Sequence, residues 1–158
     1  MFHSIHSAKA QEDVFAVLED VLPPIFAEYG KYNIASTAPF RRIAYNDALE
    51  TYGTDKPDLR IDLTAQDVTD LLGETEFDPF RSGNVSKAVP ISGCELTRKQ
   101  IDKIITDVEV QSGKKPYWFR MDESGAFVGG VAKFLDPVKD RLIECLGLKP
   151  GTLVVISS

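Results

Sequence analysis

Leu96-Thr97-Arg98-Lys99-Gln100-Ile101 opens the most regular part of the sequence. Thr97 and Gln100 stand three residues apart, the spacing at which a hydroxyl and a side-chain amide satisfy each other's backbone N–H groups. Leu96 and Ile101 flank them as a hydrophobic staple. Ile101, Ile104, Ile105 and Val108 then recur on one helical stripe, so the spacing predicts a helix. Beyond it, Pro116 to Met121 is rich in strand formers. Alternation along that strand sends Trp118 to one face and Tyr117 and Phe119 to the other.

The same capping pattern recurs upstream. Leu63-Thr64-x-x-Asp67-Val68 offers Thr64 as an N-cap and Leu63 with Val68 as a staple, which predicts a helix reaching Leu72. Downstream, Asp136-Pro137 places proline at a first helical position. That helix carries Val138, Leu142, Ile143, Cys145 and Leu146 before Gly147. Val85 to Ile91 and Thr152 to Ile156 supply further strands, with a short extra one near Phe77 or Phe127. Residues 63–158 therefore read helix–strand–helix–strand–helix–strand. A parallel βαβ sheet and a two-layer α+β sandwich both fit that order.

The N-terminal third is helical. Val14, Val17, Leu18, Val21, Leu22, Ile25 and Phe26 predict one helix from Gln11 to Tyr29, kinked or split at Pro23-Pro24 and ended by Gly30. Lys31 to Pro39 reads as a loop. Asn46 is placed to cap a short helix, Asp47 to Tyr52, that stops at Gly53. Thr54 to Arg60 follows as a charged loop stiffened by Pro57.

Bulk properties exclude several classes. The 158 residues suit one domain, or one domain with an appendage. Eighteen basic against 24 acidic side chains leave a net charge of −6, which disfavours a free-standing binder of nucleic acid while allowing RNA contact within a larger assembly. No apolar run approaches the ~20 residues of a membrane span. Residues 1–10 lack the basic and apolar regions of a secretory signal. Cys94 and Cys145 show no C-x-x-C spacing and read as reduced structural thiols, so a cytoplasmic location is expected.

Little in the chain reads as catalytic. Gly125-Ala126-Phe127-Val128-Gly129-Gly130 and Gly113-Lys114 both miss the spacings of nucleotide-binding loops. Gly129-Gly130 ahead of Lys133 is expected to form a tight turn rather than an anion cradle. His3 and His6, the only histidines, sit in the leader without partners at metal-ligand spacing, so no histidine-based triad or metal site is expected. A hydrolase acting through Cys94 or Cys145 lacks a base. Glu12, Asp13, Glu19 and Asp20 read as a solvated helix face. Tyr117-Trp118-Phe119 has the composition of a base-stacking platform, but alternation favours core. One loop concentrates charge without helical periodicity. In it Lys56 and Arg60 have the chemistry to bind carboxylate or phosphate, and Asp55 and Asp58 to orient them. By composition alone it is a surface turn with local ion pairs.

Phe40-Arg41-Arg42-Ile43-Ala44-Tyr45-Asn46-Asp47-Ala48-Leu49, followed by Tyr52-Gly53-Thr54-Asp55-Lys56-Pro57-Asp58-Leu59-Arg60, resembles the bacterial-type aspartyl-tRNA synthetases. In that family this signature follows the second class II motif. Further resemblances come in the family's order. Gln11 to Phe15 is similar to the helix after motif two, Leu96 to Asp102 to a helix start in the GAD insertion domain, Gly129 to Leu135 to a later segment of that domain, and Gly151 to Ile156 to its closing strand. The resemblance covers residues 11–158, and a long collinear match is more specific than a single motif.

The resemblance implies a ligase that joins aspartate to ATP with magnesium and then transfers the aspartyl group to tRNA(Asp). It implies a homodimer with an antiparallel class II catalytic core. It also implies an α+β fold here: a two-layer GAD sandwich at 63–158, preceded by a helical strip of catalytic core at 11–62, with 1–10 as a leader or vector remnant. The family's anticodon-reading OB-fold, its motif-two arginine and its third motif have no counterpart among these residues. The expectation is therefore a fragment that is inert alone, its partners being the rest of the synthetase chain and, through the parent, tRNA, aspartate and ATP. No catalytic residue and no metal ligand is carried over. Asp55, Lys56, Asp58 and Arg60 are expected near the parent's active-site mouth. The alternative is a stand-alone GAD-type module that contacts tRNA or an amidotransferase partner.

Overall fold

A computed structural model describes residues 10–31, 37–81 and 83–158. His3, His6 and the rest of residues 1–9 lie outside the described residues, as does the middle of the Lys31–Pro39 loop. The chain divides into two compact units, Met1–Ala44 and Tyr45–Ser158.

In the first unit, α1 spans Gln11–Tyr29. The Asp13 carboxylate accepts a hydrogen bond from the Ala10 N–H at 3.1 Å, and Glu12 and Asp13 place negative charge in the first turn, where the helix dipole favours it. The helix is not split at Pro23-Pro24. Each proline removes one donor, but the ladder closes again at Gly30, whose N–H donates to the Phe26 carbonyl at 2.9 Å. Phe40 and Arg42 lie along the first turns of α1. The Phe40 N–H donates to Glu19 Oε1 at 3.0 Å, and Arg42 crosses Glu12, Phe15 and Glu19.

The second unit begins with α2, Tyr45–Tyr52. Asn46 lies inside this helix rather than capping it. Gly53, in a left-handed conformation at φ +70°, ends the helix by donating its N–H to the Leu49 carbonyl. The elements that follow are β1 (Gln66–Asp67), α3 (Thr69–Gly73), α4 (Asp78–Arg81), β2 (Lys87–Ile91), α5 (Arg98–Ser112), β3 (Tyr117–Met121), β4 (Phe127–Val128), α6 (Lys139–Leu146) and β5 (Leu153–Ser157). The five strands form one sheet in the order β1-β2-β5-β3-β4, with every pairing antiparallel. The parallel βαβ alternative is thereby excluded, and the fold is α+β.

Both faces of the sheet are packed. Phe119, Met121, Val154 and Ile156 join Leu72 of α3, Phe80 of α4 and Leu142 of α6 in the larger cluster. The intervening strand positions, Trp118 and Leu153, join Ile101 and Ile105 of α5 in a smaller one. Helices thus lie on both sides, so the expected second layer is joined by a third. The reason is in β5, whose residues are apolar at both parities. Complete burial of side chains such as Phe119, Leu72 and Leu142 stabilises the unit by about 1.5–3 kcal/mol each.

Several local expectations change. Thr64 does not cap a helix. Gln66 and Asp67 pair with Ala88 and Lys87 as β1, and the helix starts only at Thr69, whose N–H donates to Asp67 Oδ1 at 3.0 Å. Strand pairing has overridden the local capping pattern. The Thr97 box forms as expected, with the Thr97 N–H donating to Gln100 Oε1 at 2.9 Å and the Gln100 N–H donating to Thr97 Oγ1 at 3.4 Å. On α5, however, only Ile101 and Ile105 are buried, and Ile104 and Val108 are exposed because the sheet reaches just one edge of the stripe. Asp136-Pro137 opens a short 3₁₀ turn, after which α6 runs with Cys145 exposed. Phe77 is not in a strand. It packs against Phe80, Tyr117 and Phe134, and the extra strand is Phe127–Val128.

Candidate functional site

The charged loop leaves α2 at Gly53 and turns twice. Thr54 Oγ1 accepts from the Lys56 N–H at 3.2 Å, making a first small turn. Asp58 makes the second, its Oδ1 accepting from the Arg60 backbone N–H at 3.0 Å while the Ile61 N–H donates to the Asp58 carbonyl at 3.0 Å. The Arg60 guanidinium then closes on the same carboxylate as a two-pronged fork, Nε to Oδ1 at 2.8 Å and Nη2 to Oδ2 at 2.5 Å. This planar match of guanidinium and carboxylate is the geometry that arginine supplies and lysine does not. The Arg60 donors hold the Asp58 carboxyl down from an ordinary 3.8 to about 2, the side-chain bonds weighing most and the backbone bond next.

Of the four residues singled out in the sequence, the structure brings together Asp58 and Arg60. Asp55 and Lys56 are exposed on the preceding turn and take no part in the pair. The chemical consequence is specific. Asp58 is ionised throughout the neutral range, so it has no proton to give as a general acid. Arg60 already holds a carboxylate in its fork, so an incoming carboxylate or phosphate must displace Asp58 or approach from another side.

The loop is tied back at its far end. The Ala65 N–H donates to the Thr51 carbonyl at 2.7 Å, bringing the two ends of the excursion together. One residue earlier on α2, the Glu50 carboxylate pairs with Lys87 Nζ at the start of β2. Nothing in local spacing announces that contact, which spans 37 positions. Another unforeseen contact is made by Arg120, whose Nη2 donates to the Leu96 carbonyl at 2.6 Å beneath the start of α5.

The alternative sites resolve into structure. Trp118 is 8% exposed and belongs to the α5-side cluster, so Tyr117-Trp118-Phe119 forms core and not an open stacking platform. Gly129-Gly130 wraps the same tryptophan. A Cβ on Gly129 would meet the indole ring at 2.4 Å, and one on Gly130 would meet the Trp118 carbonyl at 1.7 Å. These glycines permit a close backbone approach to Trp118, and the Val131 N–H bonds its carbonyl at 3.0 Å. Among the described residues no three His, Cys, Asp or Glu side chains gather as a metal site, and no helix is long and apolar enough to cross a membrane.

The comparisons with known proteins agree on one family. The family described as tRNA synthetases class II (D, K and N) matches residues 5–134. An aspartate–tRNA ligase of Streptococcus equi subsp. zooepidemicus is 38% identical over 142 residues, which is 87% of this chain and 24% of that protein. Aspartate–tRNA(Asp/Asn) ligases of Desulfatibacillum aliphaticivorans and Wolbachia pipientis are 33% and 36% identical, over 91% and 94% of this chain and 25% and 26% of their own lengths. The chain spans about a quarter of the length of the curated relatives it matches. With more than half of its residues inside the family match, the chain belongs to the class II tRNA synthetases of the D, K and N group.

Proposed function

We propose that this chain is part of an aspartate–tRNA ligase and is inactive by itself. The observation that carries the reading is the collinear similarity at 33–38% identity over most of the chain, set against about a quarter of each relative's length. In the longer enzyme, the aspartate carboxylate attacks the α-phosphorus of ATP, forming aspartyl-adenylate and releasing pyrophosphate. The terminal adenosine of tRNA(Asp) then takes the aspartyl group and AMP leaves. ATP and magnesium belong to that enzyme's catalytic core, and its working form is a cytoplasmic homodimer.

Within this scheme residues 11–62 are a strip of the catalytic core and 63–158 the GAD insertion, with a structural, tRNA-proximal role. The loop from Asp55 and Lys56 to Asp58 and Arg60 borders the active-site mouth. Its internally matched Asp58–Arg60 pair supports a shaping role there rather than a catalytic one. The test is aspartate-dependent pyrophosphate exchange by the purified chain, for which no activity is expected; exchange by this chain alone would overturn the reading. Blotting source-cell lysate gives an independent check, with a band expected at several times the mass of this chain. A band at the chain's own mass would favour instead a GAD-type module that contacts tRNA or an amidotransferase partner.

A further inference from the structure

The charged loop belongs to the sheet unit, since α2 and the loop cluster with the strands in Tyr45–Ser158. Yet α2 is lightly attached: Ala48 is its one buried residue, and Tyr45 and Leu49 are exposed. Its attachment runs through polar ties at its C-terminal end. Lys87 Nζ reaches the Glu50 carboxylate and lies 3.5 Å from the Glu50 carbonyl, and the next residue, Thr51, accepts from the Ala65 N–H. The loop between Thr51 and Ala65 is thus anchored where Lys87 holds α2.

Lys87 is itself well fixed. As the first residue of β2 it pairs with Ser157 of β5 on one side and Asp67 of β1 on the other, with its side chain only 26% exposed. The Asp67 carboxylate is held by Thr69, and Thr69 Oγ1 accepts from the Ser86 N–H at 2.9 Å. A flexible ammonium group is here mounted on the first residue of a strand paired on both sides and presented to a surface helix.

We propose that Lys87 is a positioning residue: through Glu50 it fixes the Asp58–Arg60 loop to the sheet and so sets where that loop stands at the active-site mouth. The inference rests on the ligase reading above, which places the loop at that mouth. Lys87 acts on the loop through α2, while its charge also lies near the Asp67 carboxylate, which the Thr69 hydrogen bonds chiefly hold. Its effect is bounded by what a partly exposed ion pair delivers, about two- to five-fold in an equilibrium.

Two measurements test it. In this chain, hydrogen–deuterium exchange of the amides at 54–65 should quicken about two- to five-fold in Lys87→Ala, with α5 unaffected and Lys87→Arg close to the original. In the longer ligase, Lys87→Ala should raise KM for aspartate or ATP by a similar factor while kcat holds, and Lys87→Arg should restore KM. Unchanged loop exchange, or a loosened loop with unchanged KM in an active ligase, overturns the inference. A longer protein that shows no aspartate-dependent exchange before any substitution overturns the ligase reading, and this inference with it.

Discussion

β5 and α1 are both predominantly apolar, yet they end up in opposite circumstances. In β5, Val154 and Ile156 enter one cluster and Leu153 the other, so both faces are covered within the same unit. In α1, Val14, Leu18, Val21, Ile25 and Phe26 are 40–50% exposed, and Pro23 is its one buried residue. Apolar periodicity specifies that a face needs cover, and it is silent about where the cover comes from. The sheet finds its partners among neighbouring strands and helices. Among the described residues of its own unit, the face of α1 is mostly left exposed, and Arg42 reaches across it with polar contacts. A helix held chiefly by exposed ion pairs is drawn from the low-stability end of a structure, because such pairs contribute little.

The sharpest way to test the well-packed side is Gly130→Ala. The new Cβ must sit where the Trp118 carbonyl already is, at φ +40°, and the Val131 N–H bond to that carbonyl is the first casualty. Strain and overpacking together should cost about 2–5 kcal/mol of sheet-unit stability. Trp118 is the sole tryptophan, so urea unfolding followed by its fluorescence reads this unit directly. A midpoint that stays in place would show that the glycine pair is not a packing device.

That same fluorophore separates the two regions. Far-UV circular dichroism records all helices, α1 included, whereas tryptophan fluorescence records only the sheet unit. The helix signal should begin to fall at lower urea than the fluorescence, and α1 amides should exchange faster than those of Ile101 to Val108. Coincident transitions and equal protection would erase the distinction between covered and uncovered apolar faces. Within the sheet unit, Thr97→Ala removes one half of a reciprocal cap and should cost about 1 kcal/mol, read from the same fluorescence midpoint.

These expectations also mark what was legible in the chain. The Thr97–Gln100 box could be read because cap and partner lie three residues apart and nothing distant competes. The related cap-and-staple pattern at Thr64 misled, because the next residues pair with Lys87 and Ala88 across more than one element, and ladder bonds outweigh a local cap. Ile104 and Val108 share the stripe of Ile101 and Ile105, but the width of the sheet beneath decides which are buried. At the candidate site the concentration of charge was visible. That Asp58 and not Asp55 would fill the Arg60 fork depends on the turn, and that Glu50 would meet Lys87 depends on the sheet. Residue types identify a charged loop; only the backbone path assigns its partners.

The smallest expected effect decides what that loop is. Asp58 should titrate near 2 when followed by NMR, below the 3.8 of an unrestrained aspartate, because Arg60 donates to both of its oxygens. The lowered value means that the folded loop binds the Asp58 proton less readily than the unfolded chain does. The pair's stabilisation is therefore complete above about pH 4 and is lost as the pH falls toward 2. Because both side chains are exposed, the change should appear in the loop's own resonances and barely in the global unfolding midpoint. Arg60→Ala should return the midpoint toward 3.8 without unfolding the sheet. An Asp58 midpoint of 3.8 in the unmodified chain would mean that the Arg60 fork stands open to solvent. The loop would then be an anion receptor rather than a self-closed turn, and its role at an active-site mouth would shift from shaping the entrance to holding a substrate carboxylate or phosphate.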